Sequence, residues 1–128
     1  MGSGYLLDSN VIIGYLAGRI PASGMQALSA VVDQTPRISV ISQIEVLRWS
    51  DSPGNERVLS DFVASSIIHP LSSGVVQRTI AICKSVKIKL PDAIIAATAL
   101  CEEFVLITRN IKDFKNISDL VLLNPWET

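Results

Sequence analysis

Short apolar runs alternate with longer stretches of helical character along the whole chain. The runs occupy residues 5–7, 37–41, 65–69, 104–107 and 120–123, and each ends at a polar residue or a proline. Their length and β-branched content predict strands buried on both faces. Helices are predicted over residues 10–18, 24–34, 43–49, 55–64, 74–86 and 90–100. This alternation predicts a parallel sheet covered by helices in one α/β domain.

Composition limits the class of protein. The chain has 128 residues, of which 48% are hydrophobic and 5% aromatic, so one globular domain with an aliphatic core is expected. The apolar runs are too short to cross a bilayer, and no signal peptide is evident. Residues 1–4 resemble an added leader, which leaves residues 5–128 as the domain. A net charge of −1 gives no general argument for binding nucleic acid. Cys83 and Cys101 are predicted to be small buried side chains in a reducing compartment.

Four acidic residues stand where they can meet at one edge of the sheet. Asp8 follows the first strand, Glu45 lies one turn into the helix after the second strand, and Asp113 lies just beyond the fourth. Asp92 opens the helix that leads into the fourth strand. Ligands of open α/β sheets bind at the carboxyl ends of the strands, so this edge is the candidate site.

Each of these acids also has a structural explanation. Asp8 and Asp92 can cap helices, because Asp is favoured at helix starts. Ser42 and Glu45 match the capping box S-x-x-E, and Asn110 with Asp113 repeats that spacing more weakly. Four independent caps gathered at one edge are less probable than one shared site. The functional prediction therefore rests on the four acidic residues together and not on any one of them.

Clustered carboxylates favour a metal ion. Two unit charges about 5 Å apart repel by roughly 3 kcal/mol at an effective dielectric of 20. Such a group either takes up protons or binds a cation, and an oxygen-only donor set suits Mg²⁺ or Mn²⁺. An ion of this kind can hold a phosphodiester and activate water, so a metal-dependent phosphodiester hydrolase is the leading prediction.

Four segments together resemble the motif blocks of PIN-domain ribonucleases, in particular VapC-type toxins of toxin–antitoxin pairs. They are YLLDSNVII at residues 5–13, ISVISQIEVLRW at 38–49, KIKLPDAIIAATAL at 87–100 and VLITRNIKDF at 105–114. LPDAIIAATA is the most specific of them. The resemblance implies a single PIN-like domain with a five-stranded parallel sheet flanked by helices. It also implies Mg²⁺- or Mn²⁺-dependent cleavage of RNA, often tRNA or rRNA.

The resemblance implies roles for individual residues of this chain. Asp8, Glu45 and Asp92 match the three acids that hold the metal. Ser9 matches a supporting hydroxyl, and Thr108 is expected to support the site as well. Asn110 stands where many members have Asp, so Asp113 is expected to take the fourth acidic role, and the number of metals stays open. Members of this family are commonly cytoplasmic homodimers, silenced by a small antitoxin that can insert a basic side chain among the acids.

Further residues are candidate contacts of RNA. Arg48, Lys84, Lys87, Lys89, Arg109 and Lys112 can contact phosphates or simply form solvated faces, and Arg109 and Lys112 are the leading candidates. His69 has no second histidine or cysteine near it, so a structural role is expected. Trp49 and Trp126 can stack on bases, although filling the core or a dimer surface is the simpler expectation.

Two other functions remain open from the sequence. The strand-then-Asp placement of Asp8 also occurs in phosphatases with an aspartate nucleophile, but these need a second Asp where Asn10 stands. A degenerate PIN domain that only binds a partner is the other alternative, favoured by Asn110 and opposed by the three intact acids.

Overall fold

All five predicted strands are present, although they are short. The computed structural model describes residues 4–49 and 52–127, so most of the predicted leader, residues 1–3, lies outside the described residues. The strands are β1 (Tyr5–Leu7), β2 (Arg37–Ser39), β3 (Ile67–His69), β4 (Val105–Ile107) and β5 (Leu122–Leu123). Every pairing between them is parallel.

The strands lie in two hydrogen-bonded groups. In one group β4 lies between β1 and β5, and in the other β2 pairs with β3. Strand β1 contacts β2, so the two groups adjoin with β1 and β2 side by side. The predicted α/β fold with parallel strands is confirmed. The expected single five-stranded sheet is instead divided into two, because, among the described residues, no strand hydrogen bonds join β1 to β2.

Within residues 4–49 and 52–127, seven α-helices connect and cover the strands. Their bounds are α1 (Ser9–Leu16), α2 (Ala22–Asp33), α3 (Val40–Trp49), α4 (Pro53–Ala64), α5 (Ser73–Ser85), α6 (Leu90–Glu102) and α7 (Ile111–Phe114), followed by a 3-10 helix at Pro125–Glu127. The side chains of Asp8, Ser52 and Ser72 cap the starts of α1, α4 and α5, where Asp and Ser are favoured residues. The first predicted helix ends close to Gly18, which takes a positive φ of 67°.

The core has two parts, one on each side of β1 and β4. Adjacent residues of a strand point to opposite faces, so Leu6 and Leu106 enter one cluster while Leu7 and Ile107 enter the other. Helix α6 supplies much of the first cluster through a fully buried alanine-rich face. The central strands are therefore buried on both faces as predicted, whereas Ile67 at the start of β3 remains 39% exposed.

Two expectations from the sequence are wrong. Cys83 and Cys101 are exposed, because both lie on the outward faces of α5 and α6. The second apolar run also divides earlier than predicted, with the strand ending at Ser39 and the helix beginning at Val40. The Ser39 hydroxyl accepts from the amides of Ile41 (2.9 Å) and Ser42 (3.4 Å), so Ser39 rather than Ser42 caps this helix.

Within the described part of the chain, no helix is both long and apolar enough to span a membrane.

Candidate active site

Asp8 lies at the junction of β1 and α1. Its amide donates to the carbonyl of Ile107 at 3.0 Å, which holds it beside the end of β4. Its Oδ1 accepts from the Ser9 amide at 2.8 Å, and its Oδ2 accepts from the Thr108 hydroxyl at 2.7 Å. The residue is only 5% exposed. Asp8 thus caps α1, as the structural explanation predicted, with both carboxylate oxygens fixed by neighbours.

Glu45 is linked to Asp8 through one residue. The Ser9 hydroxyl donates to Glu45 Oε1 at 2.6 Å, so α1 and α3 are joined at the site. The predicted capping box of Ser42 and Glu45 is wrong, because Ser42 lies inside α3 and its buried hydroxyl has no partner. Glu45 is therefore directed toward the site and not toward the start of its own helix.

Asp92 lies in the first turn of α6. The N-cap of this helix is Lys89, and no side chain caps it by a hydrogen bond. Capping does not explain Asp92, although its charge still complements the helix dipole. Asn110 likewise precedes α7 without a side-chain cap, so the weaker box of Asn110 and Asp113 is also wrong. The Asn110 amide instead donates to the Thr108 hydroxyl at 3.1 Å.

Three of the four predicted acids share one cavity. Asp8, Glu45 and Asp92 line an open cavity of about 610 Å³, together with Ser9 and Asn110. Asp113 lines a neighbouring cavity of about 420 Å³, which Asp92 also borders. The three acids thus come from the end of β1, the middle of α3 and the first turn of α6, and the fourth acid lines the adjoining cavity.

The acids perturb one another. Burial raises the pKa of Asp8 to about 6, the hydrogen bonds from Thr108 and Ser9 oppose this rise, and the charges of Asp92 and Glu45 add to it. Burial also raises the pKa of Asp92, assisted by the charges of Asp113 and Glu45 and opposed by Lys89. Carboxylates that resist ionisation in a cleft are typical of functional sites.

The donor set fits a hard divalent cation in its chemistry. All three side chains offer carboxylate oxygens, and their mutual repulsion is what a cation would relieve. Across residues 4–49 and 52–127, however, no group of three or more His, Cys, Asp or Glu side chains is arranged to hold a metal ion.

Four of the six basic candidates line one of the two cavities, and Lys84 and Arg109 line neither. Arg48 lines the cavity of the three acids, and Lys87, Lys89 and Lys112 line its neighbour. The Arg109 guanidinium lies over the ring of Trp126, 4.7 Å from its centroid.

His69 lines neither of the two cavities. The imidazole of His69 lies 3.7 Å from the carboxylate of Glu102 and 3.3 Å from Arg37, which is a structural setting away from the acids.

The cavity of the three acids also includes Asn10, which had no role at the site in the sequence analysis, and Trp49, which was a candidate for stacking on bases. Asn10 lines it, and its buried Oδ1 has no hydrogen-bond partner. Trp49 also lines it and is 46% exposed, so it does not fill the core, and stacking on a base or a dimer surface stays open. The position of Asn10 in the sequence could have indicated its place in the cavity, because Asn10 follows Asp8 by two residues in the first turn of α1.

The fold and this acidic cavity define a parallel α/β domain with a carboxylate site at the ends of its strands. The family model for the PIN domain matches residues 5–120, so the chain belongs to the PIN domain family. The predicted resemblance is confirmed. No curated protein gives a significant match.

Solved structures agree with this assignment. A toxin–antitoxin complex from Klebsiella pneumoniae contains a chain that is 29% identical, with a TM-score of 0.77, and the match covers 98% of this chain and all of that one. VapBC2 from Rickettsia felis, bound to a DNA fragment from its promoter, matches at 27% identity and a TM-score of 0.75, covering 94% and 97%. DNA-bound VapBC from Salmonella typhimurium matches at 20% identity and a TM-score of 0.81, covering 98% and 99%, and supports the fold alone.

Proposed function

We propose that this PIN domain is a metal-dependent endoribonuclease that acts as the toxin of a VapBC-type toxin–antitoxin system. The observation that carries the proposal is the gathering of Asp8, Glu45 and Asp92 from three separate elements around one cavity. A structural role alone does not require this convergence, because only Asp8 among them caps a helix.

Asp8, Glu45 and Asp92 are the residues that would hold Mg²⁺ or Mn²⁺. When bound, such an ion supplies positive charge for a phosphodiester and lowers the pKa of water that attacks it. Ser9 positions Glu45 through its 2.6 Å hydrogen bond, and Thr108 positions Asp8 through one of 2.7 Å. These hydroxyls hold the carboxylates in a fixed orientation, a role that commonly affects metal affinity. Asp113 is proposed as a fourth acid that acts from the adjoining cavity.

RNA is the proposed substrate, with tRNA or rRNA as the leading classes. The exposed Trp49 and the guanidinium of Arg48 border the cavity, where one can stack on a base and the other contact a phosphate. Arg109 and Lys112 are further proposed contacts with the backbone.

A small antitoxin is the proposed protein partner. Support comes from the matched Klebsiella pneumoniae and Rickettsia felis structures, which are a toxin–antitoxin complex and a VapBC assembly. An acidic cavity can also accept a basic side chain of such a partner, which would occupy the site without a metal. A homodimer in the cytoplasm is proposed from the family resemblance.

Cleavage of a total RNA pool tests the function. After removal of metals by a chelator we expect no cleavage, with activity restored by Mg²⁺ or Mn²⁺. Asp8→Asn and Asp92→Asn should each lower the single-turnover rate at least about 100-fold while the far-ultraviolet circular dichroism stays that of the parent. Asp61→Asn, an exposed acid on α4, is the matched control and should cleave normally. Equal cleavage by all four proteins would exclude this site.

A partner-binding domain without catalytic activity is the second candidate. The observation in its favour is that the described acids form no ready-made metal group, and Asn110 stands in place of an acid. It predicts no metal-dependent cleavage by the parent protein. An aspartate-nucleophile phosphatase is disfavoured because both oxygens of Asp8 accept hydrogen bonds, and acid-quench trapping of a phosphoenzyme at Asp8 would revive it.

A further inference from the structure

A second cavity adjoins the acidic one. It measures about 420 Å³ and is bordered by the segment between α5 and α6 and by residues in and after α7. Asp92 lines both cavities, so they meet at this residue. A chain molecule that lies across the carboxylates of the first cavity can therefore continue directly into the second.

The sign of the charge reverses from one cavity to the other. In the first, Asp8, Glu45 and Asp92 outweigh the single guanidinium of Arg48. In the second, three lysines outweigh two aspartates, which leaves a net positive charge. Those lysines are Lys87, Lys89 and Lys112, and the aspartates are Asp92 and Asp113.

The local sequence explains why two of these lysines point the same way. Residues 86–89 read Val-Lys-Ile-Lys, and the backbone is extended at both ends of this stretch. Side chains of extended backbone alternate between two sides. Val86 and Ile88 pack against the core, so Lys87 and Lys89 are both exposed on the other side, where they line the same cavity as Lys112.

We propose that this lysine cavity, lined by Lys87, Lys89 and Lys112, binds a backbone phosphate of the RNA adjacent to the phosphate cleaved at Asp8, Glu45 and Asp92. The inference rests on the proposed ribonuclease function and adds a subsite to it. Lysine ammonium groups bind phosphates as point charges, and contacts of this kind fix the register of a nucleic acid without reading its sequence. The subsite would hold the RNA so that the next phosphate lies among the carboxylates.

Binding of RNA without cleavage tests the subsite. The probe is a fluorescent single-stranded RNA oligonucleotide, with anisotropy recorded in a chelator over a range of salt concentrations. The variant is Lys87→Gln/Lys112→Gln. The matched control is Arg57→Gln/Lys115→Gln, which removes the same charge from two exposed residues that line neither cavity.

For the lysine variant we expect binding about tenfold weaker at low salt, and a salt slope smaller by about 0.7, the value for the loss of one phosphate contact. The control should change neither quantity. In cleavage with Mg²⁺ the lysine variant should raise KM with little change in kcat, since the carboxylates are intact.

The outcomes separate the two proposals. If the lysine variant binds and cleaves like the control, the subsite is wrong and the ribonuclease proposal stands on its own test. If the parent protein binds RNA with the expected lysine dependence but does not cleave it with metal, the catalytic proposal fails and the phosphate site remains. If the parent binds no RNA, the subsite is overturned.

Discussion

The most informative single residue is Asp8, because it is a buried acid held at the edge of the sheet against its own electrostatic preference. Its two hydrogen bonds stabilise the carboxylate, yet burial and two neighbouring acids still raise its pKa to about 6. The fold thus accepts a loss of stability at neutral pH to keep this group in place. Such a loss is expected where a side chain is retained for function.

The raised pKa of Asp8 predicts that the stability of the metal-free protein depends on pH. The folded protein holds the Asp8 proton up to about pH 6, whereas the unfolded chain releases it near the ordinary pKa of 3.8. The free energy of unfolding therefore falls as pH rises between these values, by up to about 3 kcal/mol. Asp8→Asn cannot ionise, so its stability relative to the parent should increase by about 1–3 kcal/mol from about pH 3.5 to about pH 7.

Urea unfolding in a chelator at both pH values measures this difference. The Asp61→Asn variant is the control, because Asp61 is exposed. The prediction is contradicted if the free energy of unfolding of Asp8→Asn, relative to the parent, stays constant or decreases toward neutral pH. Ionisation of Asp8 would then not destabilise the folded protein.

At the scale of elements, the C-terminal 3-10 helix packs tightly against α2. A Cβ built on Gly24 would overlap the carbonyl oxygen of Pro125, so only glycine permits this approach. Gly24 is buried in the middle of the contact, whereas Gly54 in the first turn of α4 faces open space. The two positions form a natural pair for a packing test.

Gly24→Ala should lower the free energy of unfolding by about 1–3 kcal/mol, because α2 or the 3-10 helix must move. Gly54→Ala should leave it unchanged or raise it by up to about 1 kcal/mol through better helix propensity. Urea unfolding monitored by circular dichroism gives both values. Equal stabilities for the two variants would mean that α2 and the 3-10 helix are not held together as described.

The elements also show what the sequence can and cannot predict. Periodicity located every strand and the first six helices to within a few residues, because those signals are local. The partner of Glu45 was missed, because its contact with Ser9 joins residues 36 positions apart, and the local S-x-x-E pattern suggested Ser42 instead. The cysteines were misjudged because an apolar helix segment does not reveal which of its faces is outward.

At the scale of the whole molecule, the order of strands converts residues that are far apart in sequence into one site. Asp8, Glu45 and Asp92 lie in one cavity because β1, α3 and α6 all meet near the same edge, which the strand–helix alternation predicted. The separation of Asp113 into the next cavity was not predictable, since it depends on the short helix α7 and on its packing against α6.

Binding of Mn²⁺ is the most direct test of the central claim that the three carboxylates act together on one cation. We predict that isothermal titration detects Mn²⁺ binding to the parent protein, and that Asp8→Asn, Glu45→Gln and Asp92→Asn each weaken it at least about tenfold. Asp61→Asn should bind like the parent. Failure of the parent to bind Mn²⁺, or equal binding by all three site variants, would contradict the account.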